Sequence, residues 1–251
     1  MRPNFFIIGA AKAATTSLSS LLGAHPQAAI AEGKEPHFFS FPQVYGQGWS
    51  EYLKQFRHCN RQLAVGDAST SYSRIRYFPL TIERIRKHVP EAKIIYMVRH
   101  PLKRMESAYV EHLCTNPRIF SSINDIVRRQ SMVLDSSRYW EVFDAYRQVF
   151  GESKIKIVWF EEYVKDQTNV FKEVCRFLEI DDSYSPSFDV EDTNGRDNAP
   201  ARMARLGRQN VQIDTTWEPC TRQWVIEQLR DDNCRLLSHF GRPPDYWGNL
   251  Y

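Results

Sequence analysis

Phe5-Phe-Ile-Ile-Gly9-Ala-Ala-Lys12-Ala-Ala-Thr15-Thr-Ser17-Leu18 decides the fold. Four apolar residues, rich in β-branched and aromatic side chains, predict a short buried strand over Phe5–Ile8. Leu18, Leu21 and Leu22 recur at i, i+3 and i+4, so a helix runs from Thr15 to Leu22, and His25-Pro26 stops it. Between them lies a loop of small residues whose backbone can curl closely around a ligand. The helix start offers unpaired N–H groups and the positive end of a dipole. Lys12 adds a full charge, and Thr15, Thr16 and Ser17 add hydroxyls. An anion such as phosphate fits this cradle; a tight strand-to-helix turn capped by Thr15 is the plainer alternative. The nucleoside triphosphate loop GxxxxGK[ST] is a poor match, because Ala14 and Thr15 stand where its second glycine and its lysine belong.

The same alternation continues outward. A second strand ends near Gly66-Asp67. Thr81–His88 is helical, and Ile94-Ile-Tyr-Met-Val98 is the clearest buried strand. Pro101 then sits in the first turn of a helix that runs to about Cys114. Arg138–Phe150 is amphipathic, Ile155–Phe160 is a strand and Val164–Leu178 a helix. Residues 181–200 read as an irregular acidic loop, and Thr221–His239 as the last helix. Strands separated by helices predict an α/β fold, a central parallel sheet flanked by helices. The length suits a single domain over residues 1–251.

Arg99 follows the clearest strand, at the edge where parallel sheets bind ligands. Ser107 is eight residues on, about two turns into the next helix. If the chain reverses at Pro101, guanidinium and hydroxyl reach one anion. A carboxylate partner for Arg99 and a surface position for Ser107 are the alternative. Two anion sites at two strand ends point to a nucleotide with phosphates at both ends.

Composition closes off other classes. The chain is 42% hydrophobic and 25% charged, which excludes disorder, collagen and coiled coil. No apolar run nears the roughly 20 residues of a membrane helix. The first apolar piece is too short for a signal peptide core. The formal charge of +3 suits an anionic ligand without implying nucleic acid, and no basic stripe interleaved with aromatics appears. Five scattered cysteines without CxxC predict neither a disulfide framework nor a zinc site, and a cytoplasmic setting is the expectation. The histidines show no metal-ligand grouping. Oligomeric state is not legible.

Taken together, the two basic segments resemble those of sulfotransferases that use 3′-phosphoadenosine 5′-phosphosulfate (PAPS), above all the heparan sulfate branch and soluble bacterial relatives. The resemblance covers roughly residues 4–205. It implies a P-loop-like sulfotransferase fold. It also implies that Lys12, Ala13, Ala14, Thr15, Thr16 and Ser17 hold the 5′-phosphosulfate, and that Arg99 and Ser107 hold the 3′-phosphate. Glu32-Gly-Lys-Glu35-Pro-His37-Phe-Phe39 is similar to the segment carrying the catalytic base. Asn194-Gly-Arg196, with Arg202 after it, is similar to the loop that closes over the nucleotide; Arg196 is the preferred contact and Arg202 the second. Ala14 stands where the family commonly has glycine. Ala68 stands where heparan-type members tend to carry lysine, which points away from a heparan-like polysaccharide.

The implied reaction moves a sulfuryl group in line from PAPS to a hydroxyl, or an amine, of a small metabolite or glycan. Lys12 stabilises charge on the leaving phosphate oxygen. Glu35 takes the acceptor proton, with His37 as the rival base. Sulfuryl carries less negative charge than phosphoryl, so no metal is required. Asp67, Ser69 and Tyr72, at the end of the second strand, are candidates for the acceptor pocket or for turn stabilisation. A P-loop-type kinase and a non-catalytic nucleotide-binding module are the alternatives.

Overall fold

A computed structural model describes residues 1–33, 35–115, 121–185, 213–248 and 250. The chain groups into two compact units. One comprises Met1–Arg99 and Val142–Val190, the other His100–Glu141 and Glu191–Tyr251.

The first unit holds the sheet. Its strands are β1 (Phe5–Gly9), β2 (Ala28–Ile30), β3 (Ala64–Ala68), β4 (Lys93–Val98) and β5 (Ile155–Trp159). Their order is β2-β3-β1-β4-β5 and every pairing is parallel. β1 is central: Phe6 stands opposite Asp67 on one side and Ile94 on the other. All five of its residues are buried, which is why it reads as an unbroken apolar run. Burying each large apolar side chain contributes about 1.5–3 kcal/mol.

The α-helices among the described residues, in chain order, are α1 (Thr15–Ala24), α2 (Pro42–Tyr45), α3 (Trp49–Tyr52), α4 (Thr81–His88), α5 (Pro101–Thr115), α6 (Ile123–Arg129), α7 (Ser131–Asp135), α8 (Tyr139–Phe150), α9 (Phe160–Lys165), α10 (Gln167–Leu178) and α11 (Pro219–His239). α1 packs against β1, β2 and β3, and α9 and α10 pack against β5. The helix expected over Val164–Leu178 is two helices, because Asp166 accepts the Asn169 N–H and starts a new one. Phe160 begins α9 instead of ending β5.

The strand order places the reversal of winding at β1. α1 leads from β1 toward β2, whereas β4 leads toward β5. Ligands of open parallel sheets bind in the crevice at such a point, beyond the carboxyl ends of the strands. The Gly9–Ala14 loop and Arg99 leave the sheet there.

In the second unit, Ser122 caps α6 by accepting the Asp125 N–H. Asp232 of α11 accepts the N–H groups of Trp140 and Glu141 at 3.0 and 2.9 Å, completing the start of α8. Arg104 of α5 is buried and donates to Ser137 Oγ and the Val133 carbonyl. Among the described residues, no helix is long and apolar enough to cross a membrane.

Candidate active site

The loop after β1 is shaped by its backbone. Gly9 has φ 143°, and a Cβ there would come within 2.3 Å of Ser73 Oγ, so only glycine fits. Lys12 and Ala14 take left-handed conformations, φ 72° and 67°. Ala14 is the N-cap of α1, and no side chain caps the helix. The first hydrogen bond back into the loop runs from Leu18 N to the Ala14 carbonyl, 3.1 Å. The N–H groups of Thr15, Thr16 and Ser17 therefore face the cradle as donors, beside the Lys12 charge. This donor set fits a phosphate or sulfate group.

Arg99 follows β4 next to this loop. Its Nη1 donates to the Lys12 carbonyl at 2.9 Å, and its guanidinium lies 4.0 Å from the centre of the Phe160 ring. Ser17 is tied elsewhere. Its hydroxyl is 2.8 Å from the Tyr163 hydroxyl and accepts from Gln167 Nε2 at 3.1 Å, fastening α1 to α9 and α10. Ser107 is buried within α5, in the second unit. Arg196 and Arg202 lie outside the described residues.

Glu35 and His37 also have left-handed backbones, φ 53° and 55°. Glu35 Oε2 accepts the Thr70 hydroxyl at 2.9 Å and lies 3.4 Å from His37 Nε2. His37 Nδ1 is 2.7 Å from Ser71 Oγ, which is 2.5 Å from Ser40 Oγ. The His37 ring stacks on Phe41 at 4.6 Å. Burial pushes the His37 pKa below its usual value; the Glu35 carboxylate pulls it up and Arg74 pushes it down. The neutral ring that matches these partners carries its proton on Nε2, toward Glu35, and accepts from Ser71 at Nδ1.

Asp67, Ser69 and Tyr72 are completely buried, at 0% exposure each. Asp67 takes the hydroxyls of Tyr52 and Tyr72 on Oδ2 and that of Ser69 on Oδ1, all at 2.7 Å. Burial pushes its pKa up to about 6 and the Glu35 charge adds to this, against the pull of the three hydroxyls. These residues form the floor under His37, whose N–H donates to Ser69 Oγ at 3.0 Å.

One pocket joins the two halves of the site. Thr15, Thr16 and Ser19 of α1 line it together with Ile30, Glu35 and Ala68. Glu35 thus shares a pocket with the first turn of the helix that starts the cradle. Spacing alone does not single out Thr70, Ser71 or Ser40. The one signal for Thr70 and Ser71 is the hydroxyl run Ser69-Thr70-Ser71, and Ser40 has none. Among the described residues, no group of three His, Cys, Asp or Glu is placed to hold a metal ion.

Residues 2–196 match the sulfotransferase domain, and the chain belongs to that family. It is 29% identical over 184 residues to heparan sulfate glucosamine 3-O-sulfotransferase 3B1 of Mus musculus, 70% of this chain and 46% of that protein. It is 28% identical over 158 residues to the membrane-associated sulfotransferase kil1 of Dictyostelium discoideum, 59% of this chain and 33% of that protein. The matched part thus spans between a third and a half of these relatives. The fold is that of a solved sulfotransferase from Alicyclobacillus acidocaldarius, with TM-score 0.76, 27% identity and 97% coverage of both chains.

Proposed function

We propose that the chain transfers a sulfuryl group from PAPS to a hydroxyl, or an amine, of a small metabolite or glycan. The observation that carries this is the pocket shared by Glu35 and the first turn of α1, which sets a carboxylate beside an anion cradle. Bound PAPS supplies the sulfuryl group. The N–H groups of Thr15, Thr16 and Ser17 and the Lys12 ammonium hold its 5′ end. They also stabilise the charge that gathers on the leaving phosphate oxygen. Fixed donors of this kind are commonly worth about 3–4 kcal/mol in a transition state. Arg99, tied to the Lys12 carbonyl, adds positive charge at the rim and is assigned to the 3′-phosphate.

Glu35 takes the proton of the acceptor as its oxygen or nitrogen attacks sulfur. Both ring nitrogens of His37 already face partners, Ser71 and Glu35, which favours Glu35 as the base and His37 as the group beside it. Ala68 leaves the pocket wall without a cation at the position where the resemblance expects lysine. That favours a neutral acceptor over a polysulfated one.

A PAPS-dependent screen of alcohols, amines and sugars tests this, with release of adenosine 3′,5′-bisphosphate as readout. Turnover with some acceptor is expected, lost in Glu35→Gln and strongly lowered in Lys12→Ala. No release with any acceptor, or an unaffected Glu35→Gln variant, would contradict it.

A further inference from the structure

Ser69, Thr70 and Ser71 are consecutive, and each holds a different point of the Glu35–His37 segment. Ser69 Oγ gives its proton to Asp67 Oδ1, so it meets the His37 N–H with a lone pair. Thr70 Oγ1 donates to Glu35 Oε2. Ser71 Oγ meets His37 Nδ1. All three residues are buried. The segment they hold is left-handed at both Glu35 and His37. Such residues cost of order 1–3 kcal/mol each and persist where the surroundings over-determine them.

We infer that Ser69-Thr70-Ser71 is a hydroxyl clamp that presets the base, with Thr70 the positioning residue that aims the Glu35 carboxylate. This rests on the reading of Glu35 as the base. The two carboxylate oxygens are unequal. Oε2 takes the Thr70 hydroxyl and lies beside His37 Nε2, whereas Oε1 accepts no hydrogen bond among the described residues. A base must present one oxygen to the acceptor and keep its side chain from wandering. Thr70 fixes Oε2 and leaves Oε1 for the acceptor. The acceptor O–H proton passes to Oε1 while the oxygen–sulfur bond forms. The bond from sulfur to the donor phosphate breaks, and its electron pair stays on the phosphate oxygen.

Thr70→Val keeps the shape of the side chain and removes the donor. The carboxylate then loses the bond that aims it. The experiment measures kcat and KM with PAPS and the alcohol turned over fastest in the screen. Calorimetry with adenosine 3′,5′-bisphosphate and thermal melting are run alongside. Thr70→Val is expected to lower kcat about tenfold, to leave the KM for PAPS unchanged, and to bind the bisphosphate as the parent does. Thr70→Ser restores kcat. A Thr70→Val variant with parental rate, beside an inactive Glu35→Gln, overturns the clamp and leaves the base standing. A rate loss matched by lost bisphosphate affinity, in Thr70→Val and Thr70→Ala alike, makes Thr70 a structural residue and also overturns it. An active Glu35→Gln overturns the base itself.

Discussion

Arg99 Nη1 donates to the Lys12 carbonyl across 2.9 Å, so the residue that follows β4 holds the loop that leaves β1. The guanidinium does this while stacked on Phe160. One side chain therefore links two neighbouring strand ends and steadies Lys12 in its left-handed conformation. A planar, multi-donor group can stack and bond at once; an ammonium cannot.

Arg99→Lys keeps the charge and loses this geometry. Affinity for adenosine 3′,5′-bisphosphate should fall at least about tenfold, the loss expected for a charged hydrogen bond, with only a small change in melting temperature. Calorimetry on the two proteins checks it. Parental affinity in Arg99→Lys would show that the link is incidental.

Ala14 is a second lever on the same loop. A left-handed alanine costs roughly 1–2 kcal/mol relative to a right-handed one, and glycine avoids that cost. Ala14→Gly should raise stability by about 0.5–1 kcal/mol after the greater freedom of an unfolded glycine is subtracted. The sign is opposite to the usual effect of glycine in a helix. Urea denaturation reads it directly, and a destabilised variant would contradict the backbone assignment.

Gly66 illustrates a different constraint. A Cβ there would sit 2.1 Å from Phe5 Cζ, because the Phe5 ring lies over the neighbouring strand. Gly66→Ala should cost at least about 2 kcal/mol by overpacking. Phe5→Leu in the same chain should recover part of the loss, so the two substitutions should not add. Additive losses in a double-mutant cycle would argue against this contact.

Stability should depend on pH through Asp67. Its carboxyl titrates at about 6 in the folded chain against an ordinary value of 3.8. Between these values the folded chain binds the proton and the unfolded chain does not. Stability from this residue is thus greatest below about pH 4 and declines as pH rises through 6, by ~3 kcal/mol in all. Asp232, also pushed up to about 6 by burial, adds a slope of the same sign. The diagnostic quantity is therefore the difference between the parent and Asp67→Asn. Urea unfolding at pH 4 and pH 7 should show the parent losing more than the variant; equal losses would refute the Asp67 contribution.

Much of this was open to sequence reading because parallel strands are buried on both faces and helices punctuate them. Phe5–Ile8 and Ile94–Val98 announce themselves that way, and Leu18, Leu21 and Leu22 announce α1. β2 does not: Ala28-Ala-Ile30 is three residues long and alanine-rich, with no strand signature. Asp166 caps a new helix inside what reads as one long helical pattern, because the apolar periodicity on either side conceals it. Glu35 and His37 could be placed by resemblance, but not the hydrogen bonds that hold them. Those come from residues more than thirty positions away, on the turn after β3. The role of Asp67 is hidden for another reason: it depends on the hydroxyls of Tyr52 and Tyr72, which spacing alone does not bring to it.

The most direct test is calorimetric titration of the intact chain and its Lys12→Ala variant with adenosine 3′,5′-bisphosphate. The expected result is one bisphosphate bound per parent chain, with affinity reduced tenfold or more in the variant, in line with the loss of a charged contact. No binding heat in the parent, or identical affinities in the two proteins, would contradict the assignment of the Gly9–Ser17 turn as the donor site.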